Sequence, residues 1–152
     1  YLISQIKKKT LVICHKEFLV EQWKERISVF LPEARIGIIQ GQKLDIDNKD
    51  IVIGKGITLF TSTIRRGSPD YLDPRLNCHS KLHEVQALIQ AIEAGADEAL
   101  MLDANGFVAT CNATNFFMIK KGEVWTSTSK YCMNGITRAK VIEVCNANNI
   151  PC

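Results

Sequence analysis

The sequence predicts an α/β fold for the first third of the chain and an α+β fold for the remainder. Near the N-terminus, short and wholly apolar runs typical of buried parallel strands flank a helical pattern. A strongly helical segment occupies the middle of the chain, and two hairpin signals follow it. The chain has 152 residues, of which 46% are hydrophobic and 23% charged, so it can bury a core.

The first third is predicted to be a strand–helix–strand–strand unit. Its helix should bury one face, formed by Phe18, Leu19, Trp23, Ile27 and Phe30, and should end before Pro32. The predicted elements are the end of a helix at 2–6, a strand at 11–14, a helix at 15–30, a strand at 36–39, a polar loop at 41–49 and a strand at 51–54. The apolar strands indicate a parallel sheet.

The rest of the chain is predicted to contain a helix followed by two hairpins and a second helix. The helix at 81–94 should bury Leu82, Val85, Leu88, Ile89 and Ile92 and should end at Gly95. The other predictions are a strand at 58–63, a loop at 65–77, hairpins pairing 98–103 with 107–110 and 115–119 with 123–126, and a helix at 139–146 on a face of Val141, Ile142, Val144 and Cys145.

Several short motifs follow one another after residue 57. They are Lys81, the run Glu93-Ala94-Gly95-Ala96-Asp97-Glu98-Ala99-Leu100, the pair Leu102-Asp103, Gly106, the run Thr114-Asn115-Phe116-Phe117, and the turn Gly135-Ile136-Thr137-Arg138. In this order, over about 95 residues, they resemble class IV pyridoxal-phosphate (PLP) aminotransferases. That family includes branched-chain and D-amino acid aminotransferases and aminodeoxychorismate lyase.

The resemblance implies that Lys81 is the catalytic lysine and binds the cofactor pyridoxal 5'-phosphate covalently. In the family, this lysine precedes the helix that opens the larger domain and moves a proton between substrate and cofactor. Lys81 is the only lysine between Lys55 and Lys120. His83 stands one position earlier than the family's Lys-x-Leu-Asn pattern would place an Asn. The competing interpretation is an ordinary solvated lysine at a helix start.

The resemblance also implies a phosphate site at Ile136 and Thr137, since the family's Gly-Ile-Thr-Arg turn offers amides and a hydroxyl to that group. The alternative is a plain helix start capped by Thr137. Thr110 stands where the family usually has a glutamate that pairs with the protonated pyridine nitrogen. A hydroxyl cannot hold that charge as a carboxylate does, which implies weaker carbanion stabilisation, an altered reaction, or a member that no longer transaminates.

The first 54 residues do not resemble the small domain with which class IV enzymes begin. The segments 11–23, 36–41 and 49–54, with Leu19, Gln22 and Trp23 in a Leu-x-x-Gln-Trp pattern, are similar to a part of superfamily 2 helicases that follows the P-loop. No P-loop or D-E-x-H motif is present, which excludes an intact helicase. A βαβ unit with chance likeness is the alternative. A genuine likeness would make the chain composite, joined near Gly54–Ile57.

The expected function is PLP-dependent transfer of an amino group between an amino acid and a 2-oxo acid by an incomplete enzyme. The family resemblance implies that this enzyme forms a homodimer. One alternative is a nucleic-acid- or nucleotide-binding fragment using Lys7–Lys9, Lys16, Lys24 and Arg26; another is a composite chain without activity. The net positive charge lies entirely in the first third of the chain: residues 1–56 hold ten Lys/Arg against seven Asp/Glu, whereas the remaining residues hold equal numbers.

Localisation and metal binding are predicted from what the sequence lacks. It has no apolar run long enough to span a membrane and no signal-peptide pattern, so no membrane partner and a cytoplasmic location are expected. Its six cysteines have wide spacings without C-x-x-C, which predicts free thiols in a reducing compartment and no metal site.

Overall fold

The computed structural model describes residues 8–14, 16–40, 43–70, 73–76 and 79–152. The helix end predicted at 2–6, together with Lys7, His15 and Cys78, lies outside these ranges. The chain divides into two compact units, Tyr1–Ile57 and Thr58–Cys152. Each unit has its own hydrophobic core among the described residues.

The first unit is built on a mostly parallel four-stranded sheet in the order β1-β4-β2-β3. Its elements are β1 (Thr10–Cys14), α1 (Glu17–Phe30), β2 (Ile36–Gln40), β3 (Lys43–Leu44) and β4 (Ile51–Lys55). Strand β4 pairs in parallel with both β1 and β2, which confirms the predicted parallel α/β arrangement. The loop prediction is wrong at β3, because Lys43 and Leu44 form a short antiparallel ladder with the end of β2.

Helix α1 buries only part of the predicted face: Ile27 is buried as predicted and Leu19 packs against the core, whereas the three aromatic residues do not. Val20 and Ile27 are its buried residues, and they pack with Cys14, Ile38, Ile51 and Ile53 of the sheet. Phe18, Trp23 and Phe30 are exposed. A helix in contact with a narrow sheet needs only one stripe of branched side chains, and Val20 and Ile27 form that stripe because they lie two turns apart.

The second unit contains a three-stranded sheet, a separate hairpin and two helices. Its elements are β5 (Leu59–Thr61), α2 (Leu82–Glu93), β6 (Glu98–Leu102), β7 (Val108–Cys111), β8 (Phe117–Lys120), β9 (Glu123–Thr126) and α3 (Ile136–Ala147). Strand β6 lies between β5, parallel to it, and β7, antiparallel to it. No helix or strand occupies the described residues between 65 and 79, in agreement with the predicted loop.

Helix α2 also presents an unpredicted face to its core. Ala87 and Ala91 are fully buried against Ala99 and Met101 of β6. The predicted core residues Leu82, Val85, Ile89 and Ile92 are exposed instead. Small side chains let the helix backbone approach the sheet closely, so the alanine stripe, and not the aliphatic one, faces inward.

Both predicted hairpins form, and their turns require residues that tolerate positive φ. Gly106 has φ 88° and follows Asp103, whose Oδ1 accepts the amide N–H groups of Asn105 and Phe107 at 2.8 and 2.9 Å. Lys121 and Gly122 have φ 52° and 83°, and Lys120 pairs with Glu123 across that turn. Two central residues with positive φ match the right-handed twist of the strands they join.

Helix α3 begins at Ile136, three residues earlier than predicted, with Gly135 as its N-cap. Thr137 therefore lies in the first turn and is not the cap, and of the predicted apolar face only Cys145 is buried. None of the described helices is both long and apolar enough to cross a lipid bilayer. Within the described ranges there is no metal-ligating cluster of His, Cys, Asp or Glu, and Cys14, Cys111, Cys132, Cys145 and Cys152 are free thiols.

Candidate active site

A cleft of about 170 Å³ in the second unit is lined by two of the predicted site residues, Lys81 and Thr110, whereas the predicted phosphate-site residues Ile136 and Thr137 do not line it. Lys81, Thr110 and Gly135, which belong to three separate segments of the chain, all line it. Their remaining neighbours in the cleft are Arg66, Glu84, the loop residues 111–115 and Met133. The cleft therefore joins the start of α2, the end of β7 and the turn before α3.

Lys81 occupies the N-cap position of α2. Its backbone carbonyl accepts the Val85 amide at 3.0 Å, which fixes the main chain at the point where the helix begins. The Lys81 side chain is exposed and lines the cleft. A long, solvent-accessible amine at this place can reach a small molecule bound between α2 and β7.

Thr110 is buried, and its hydroxyl serves the protein's own backbone. Its Oγ1 donates to the carbonyl oxygen of Thr114 at 2.8 Å, and the Cys111 amide donates to the same oxygen at 3.0 Å. These two bonds close the loop that follows β7. Thr110 thus contributes to the cleft a neutral hydroxyl whose proton is already donated to the Thr114 carbonyl oxygen.

The loop after β7 is tied to the turn before α3 by Asn115. Its Nδ2 donates to the Met133 carbonyl oxygen at 3.0 Å, while its Oδ1 would lie 2.6 Å from a Cβ atom at position 135. A β-carbon at position 135 would therefore force the Asn115 amide group to shift. The Thr-Asn and Gly-Ile-Thr-Arg motifs, 20 residues apart in sequence, are therefore one packed structure.

The first turn of α3 directly follows Gly135, which lines the cleft, and offers backbone donors. The Ala139 amide donates to the Gly135 carbonyl oxygen at 3.0 Å, which is the first hydrogen bond of this helix. The amides of Ile136 and Thr137 precede it and have no intrahelical acceptor. Arg138 anchors the turn by donating from Nη2 to the Ser127 carbonyl at 2.9 Å. Such a turn attracts anions.

A charged cluster that sequence reasoning missed lines the same cleft. Arg66 is 8% exposed; its Nη1 donates to Glu84 Oε1 and lies 3.4 Å from His83 Nε2. Glu84 is 9% exposed, and its Oε2 has no partner among the described residues. The helical spacing of Glu84 with the buried Ala87 and Ala91 is the signal that could have shown that this carboxylate points inward.

Burial shapes the ionisation of two groups near the cleft. It lowers the pKa of His83, an effect that Arg66 reinforces and Glu84 partly opposes, so the ring is neutral at pH 7 and can accept from Arg66. Burial, together with the charge of Glu98, raises the pKa of Cys111 to about 11. The Cys111 thiol therefore stays protonated at neutral pH and is a poor nucleophile.

Comparison with known proteins places this geometry in a family. Residues 24–152 match the sequence model of the amino-transferase class IV family. The chain is 47% identical, over 89 residues, to the branched-chain-amino-acid aminotransferase-like protein 2 of Arabidopsis thaliana, covering 59% of this chain and 16% of that protein. It is 37% identical, over 89 residues, to the branched-chain-amino-acid aminotransferase of Pseudomonas aeruginosa, covering 58% and 29% respectively.

Solved structures give the same result for the fold. The T.th. branched-chain amino acid aminotransferase complexed with N-(5'-phosphopyridoxyl)-L-glutamate superposes with a TM-score of 0.61 at 29% identity, covering 63% of this chain and 32% of that one. An aminotransferase from Brucella abortus bound to the cofactor PLP gives 0.59 at 28% identity, covering 63% and 35%. The chain thus spans a third or less of the length of most of these relatives.

The family match also bears on the first unit. The match begins at residue 24 and so includes the second half of α1 and the strands β2, β3 and β4. The helicase resemblance gains no support from these comparisons and stays a prediction. The junction between two unrelated segments near Gly54–Ile57 also stays a prediction. With the match covering most of its residues, the chain belongs to the class IV aminotransferase family.

Proposed function

We propose that this chain is part of a PLP-dependent aminotransferase that transfers an amino group between an amino acid and a 2-oxo acid. The observation that carries the proposal is the shared cleft of Lys81, Thr110 and Gly135, which brings an amine to the start of an anion-attracting helix. Branched-chain amino acids are the favoured substrates, because similar proteins bear that name.

The described residues fit the cofactor at two points. Lys81 supplies an accessible amine that would bind the aldehyde carbon, then accept and return the proton of the substrate α-carbon. The open amides of Ile136 and Thr137, with the Thr137 hydroxyl, would hold the phosphate. When bound, the cofactor supplies an electron-withdrawing ring that stabilises negative charge at the substrate α-carbon.

The fit is weaker at the third point, the pyridine nitrogen. Thr110 is neutral, and its proton is donated to Thr114. It can accept a hydrogen bond through a remaining lone pair, but it cannot balance a positive charge. We therefore infer a low rate of amino transfer for a cofactor held in this cleft, in contrast to that of enzymes with a carboxylate at this position.

The remaining proposals concern the whole protein. We infer that residues 57–152 form a piece of the larger aminotransferase domain, and that the full enzyme is a homodimer like those implied by the resemblance. Residues 1–54 would then be a separate α/β unit, whether helicase-like or a chance βαβ arrangement.

A covalent-labelling experiment tests the role of Lys81. The 152-residue chain is incubated with PLP, reduced with borohydride and digested, and pyridoxyl-modified peptides are identified by mass spectrometry. We expect the modification to concentrate at Lys81 and to disappear in Lys81→Met. Lys120→Met, which removes an exposed lysine of the same unit away from the cleft, should leave the labelling of Lys81 unchanged.

Phosphate dependence separates specific from random labelling. Labelling at Lys81 should be stronger with PLP than with pyridoxal, because only PLP can use the amides of Ile136 and Thr137. Equal labelling of Lys81 and Lys120, or equal reaction with both aldehydes, would remove the support for this site.

A further inference from the structure

The Arg66–Glu84 pair is the most deeply buried ion pair of the described chain. Its two side chains are 8% and 11% exposed, whereas the other described salt bridges have side chains that are at least 25% exposed. Burying two charges costs hydration energy that mutual attraction only partly returns. A pair held in such a position beside a cleft is therefore a candidate for a binding role.

The guanidinium of Arg66 retains unused hydrogen-bonding capacity. Within the ranges that the structure describes, only Nη1 takes part in side-chain hydrogen bonds, to Glu84 and His83. A guanidinium has five N–H donors arranged as a planar fork. Glu84 and His83 thus hold one end of the group in place, and no described side chain is bonded to Nη2 or Nε of Arg66, which lines the cleft.

The charges around the cleft favour an anion. Lys81 and Arg66 are cationic, and Glu84 is the only acidic residue among the described residues that line the cleft. The start of α3, next to Gly135, adds the positive end of a helix dipole. Among the described lining residues one positive charge remains after Glu84 has neutralised one cation, and the nearby carboxylate of Glu98 lies behind the lining, bonded to the Ala113 amide and the Thr114 hydroxyl.

We propose that Arg66 binds the carboxylate of the amino acid or 2-oxo acid substrate. This inference rests on the proposed function, because it takes the α-carbon to react beside Lys81, with which Arg66 shares the cleft. A planar carboxylate matches two parallel N–H groups of a guanidinium. The cofactor phosphate is the other possible anion, and the experiment below separates the two.

The probe is 4-methylvalerate, a monocarboxylate without an amino group, whose acid form is complexed with the related T.th. enzyme in a solved structure. Its binding to the full 152-residue chain is followed by NMR without PLP, so that the result does not depend on the cofactor. We expect saturable shifts in the amide signals of Glu84 and Gly135, and no binding of the uncharged 4-methylpentan-1-ol. Arg66→Gln should weaken binding at least about tenfold, the usual effect of losing a charge-assisted hydrogen bond.

Two further variants keep the test decisive. Arg35→Gln removes an exposed arginine of the first unit and should leave binding unchanged. The double variant Arg66→Gln/Glu84→Gln removes both charges of the buried pair. It replaces the single variant, with the same tenfold criterion for 4-methylvalerate binding, if Arg66→Gln alone does not fold. Tenfold weakening in either folded Arg66 variant supports the proposal, and unchanged binding overturns it.

Inorganic phosphate identifies the anion. Phosphate should displace 4-methylvalerate poorly, and displacement at equal concentration would overturn the carboxylate assignment in favour of a phosphate site. The labelling of Lys81 by PLP is scored separately. Loss of that labelling with retained, Arg66-dependent binding of 4-methylvalerate would contradict the aminotransferase proposal while supporting Arg66 as a carboxylate-binding residue.

Discussion

At the scale of single residues, the candidate site depends on contacts between motifs that are distant in sequence. Asn115 belongs to the segment after β7 and Gly135 to the turn before α3, yet the side chain of one fills the space beside the other. Both positions were expected to matter because of a family resemblance. The structure gives the physical reason, which is a close approach that a β-carbon at position 135 would disturb by displacing the Asn115 side chain.

Replacing Gly135 with alanine should destabilise the second unit by roughly 1–3 kcal/mol, the usual cost of overpacking. Gly135 has φ −64° and ψ 146°, a conformation available to any residue, so the cost comes from the collision with Asn115 and not from the backbone. Urea unfolding of the variant measures it.

The control for this prediction is a double-mutant cycle with Asn115→Ala. In that background the added methyl group meets no side-chain oxygen, and Gly135→Ala should cost much less. The same cost in both backgrounds would contradict the proposed collision.

At the scale of elements, α2 shows why the sequence predicted the helix correctly but not its buried face. Two stripes of apolar residues run along it, one aliphatic and one of alanine, and periodicity alone cannot choose between them. The choice depends on the sheet, because Ala99 and Met101 leave space only for small side chains. The same ambiguity misplaced the aromatic residues of α1.

Matched substitutions on neighbouring positions of α2 test this assignment. Ala91 is fully buried and Ile92 is 62% exposed. Ala91→Leu should lower the free energy of unfolding by about 1–3 kcal/mol because it overfills the contact with β6. Ile92→Gln should change it by no more than about 0.5 kcal/mol. Thermal and urea unfolding provide the measurements, and the reverse order of effects would show that the aliphatic stripe is the buried one.

At the scale of the whole molecule, the residues that the structure describes form two separate hydrophobic cores. Ile53 is fully buried in the first and Met101 in the second, and the two clusters share no residue. We expect the units to open independently, because each has a hydrophobic core of its own.

Core truncation in one unit should therefore leave the other protected. Ile53→Ala should cost about 2–5 kcal/mol in the first unit through lost burial and a cavity. Amide hydrogen exchange should accelerate in β1, β2 and β4 but not in β6, and Met101→Ala should give the opposite pattern. Faster exchange in both units from either variant would show that they unfold as one.

The sequence predicted most elements of this molecule because their signals are local. Apolar runs marked the strands, Asn-Gly marked a hairpin, and Pro32 and Gly95 marked helix ends. The buried pair of Arg66 and Glu84 could not be predicted, since one residue lies in an irregular segment and the other on a helix, and only folding brings them together. The start of α3 was misplaced because Gly135, which has no side chain to signal a cap, begins it.

The hydroxyl of Thr110 has a consequence for attempts to redesign this protein. A glutamate at position 110 would bring the charge that a pyridinium partner needs, but it would also sever the bond that holds the Thr114 carbonyl and would place a larger group where the present side chain is 5% exposed. A carboxylate at position 110 would therefore require a redesigned turn from 111 to 114 as well. Thr110 and the loop that its hydroxyl closes can be replaced only together.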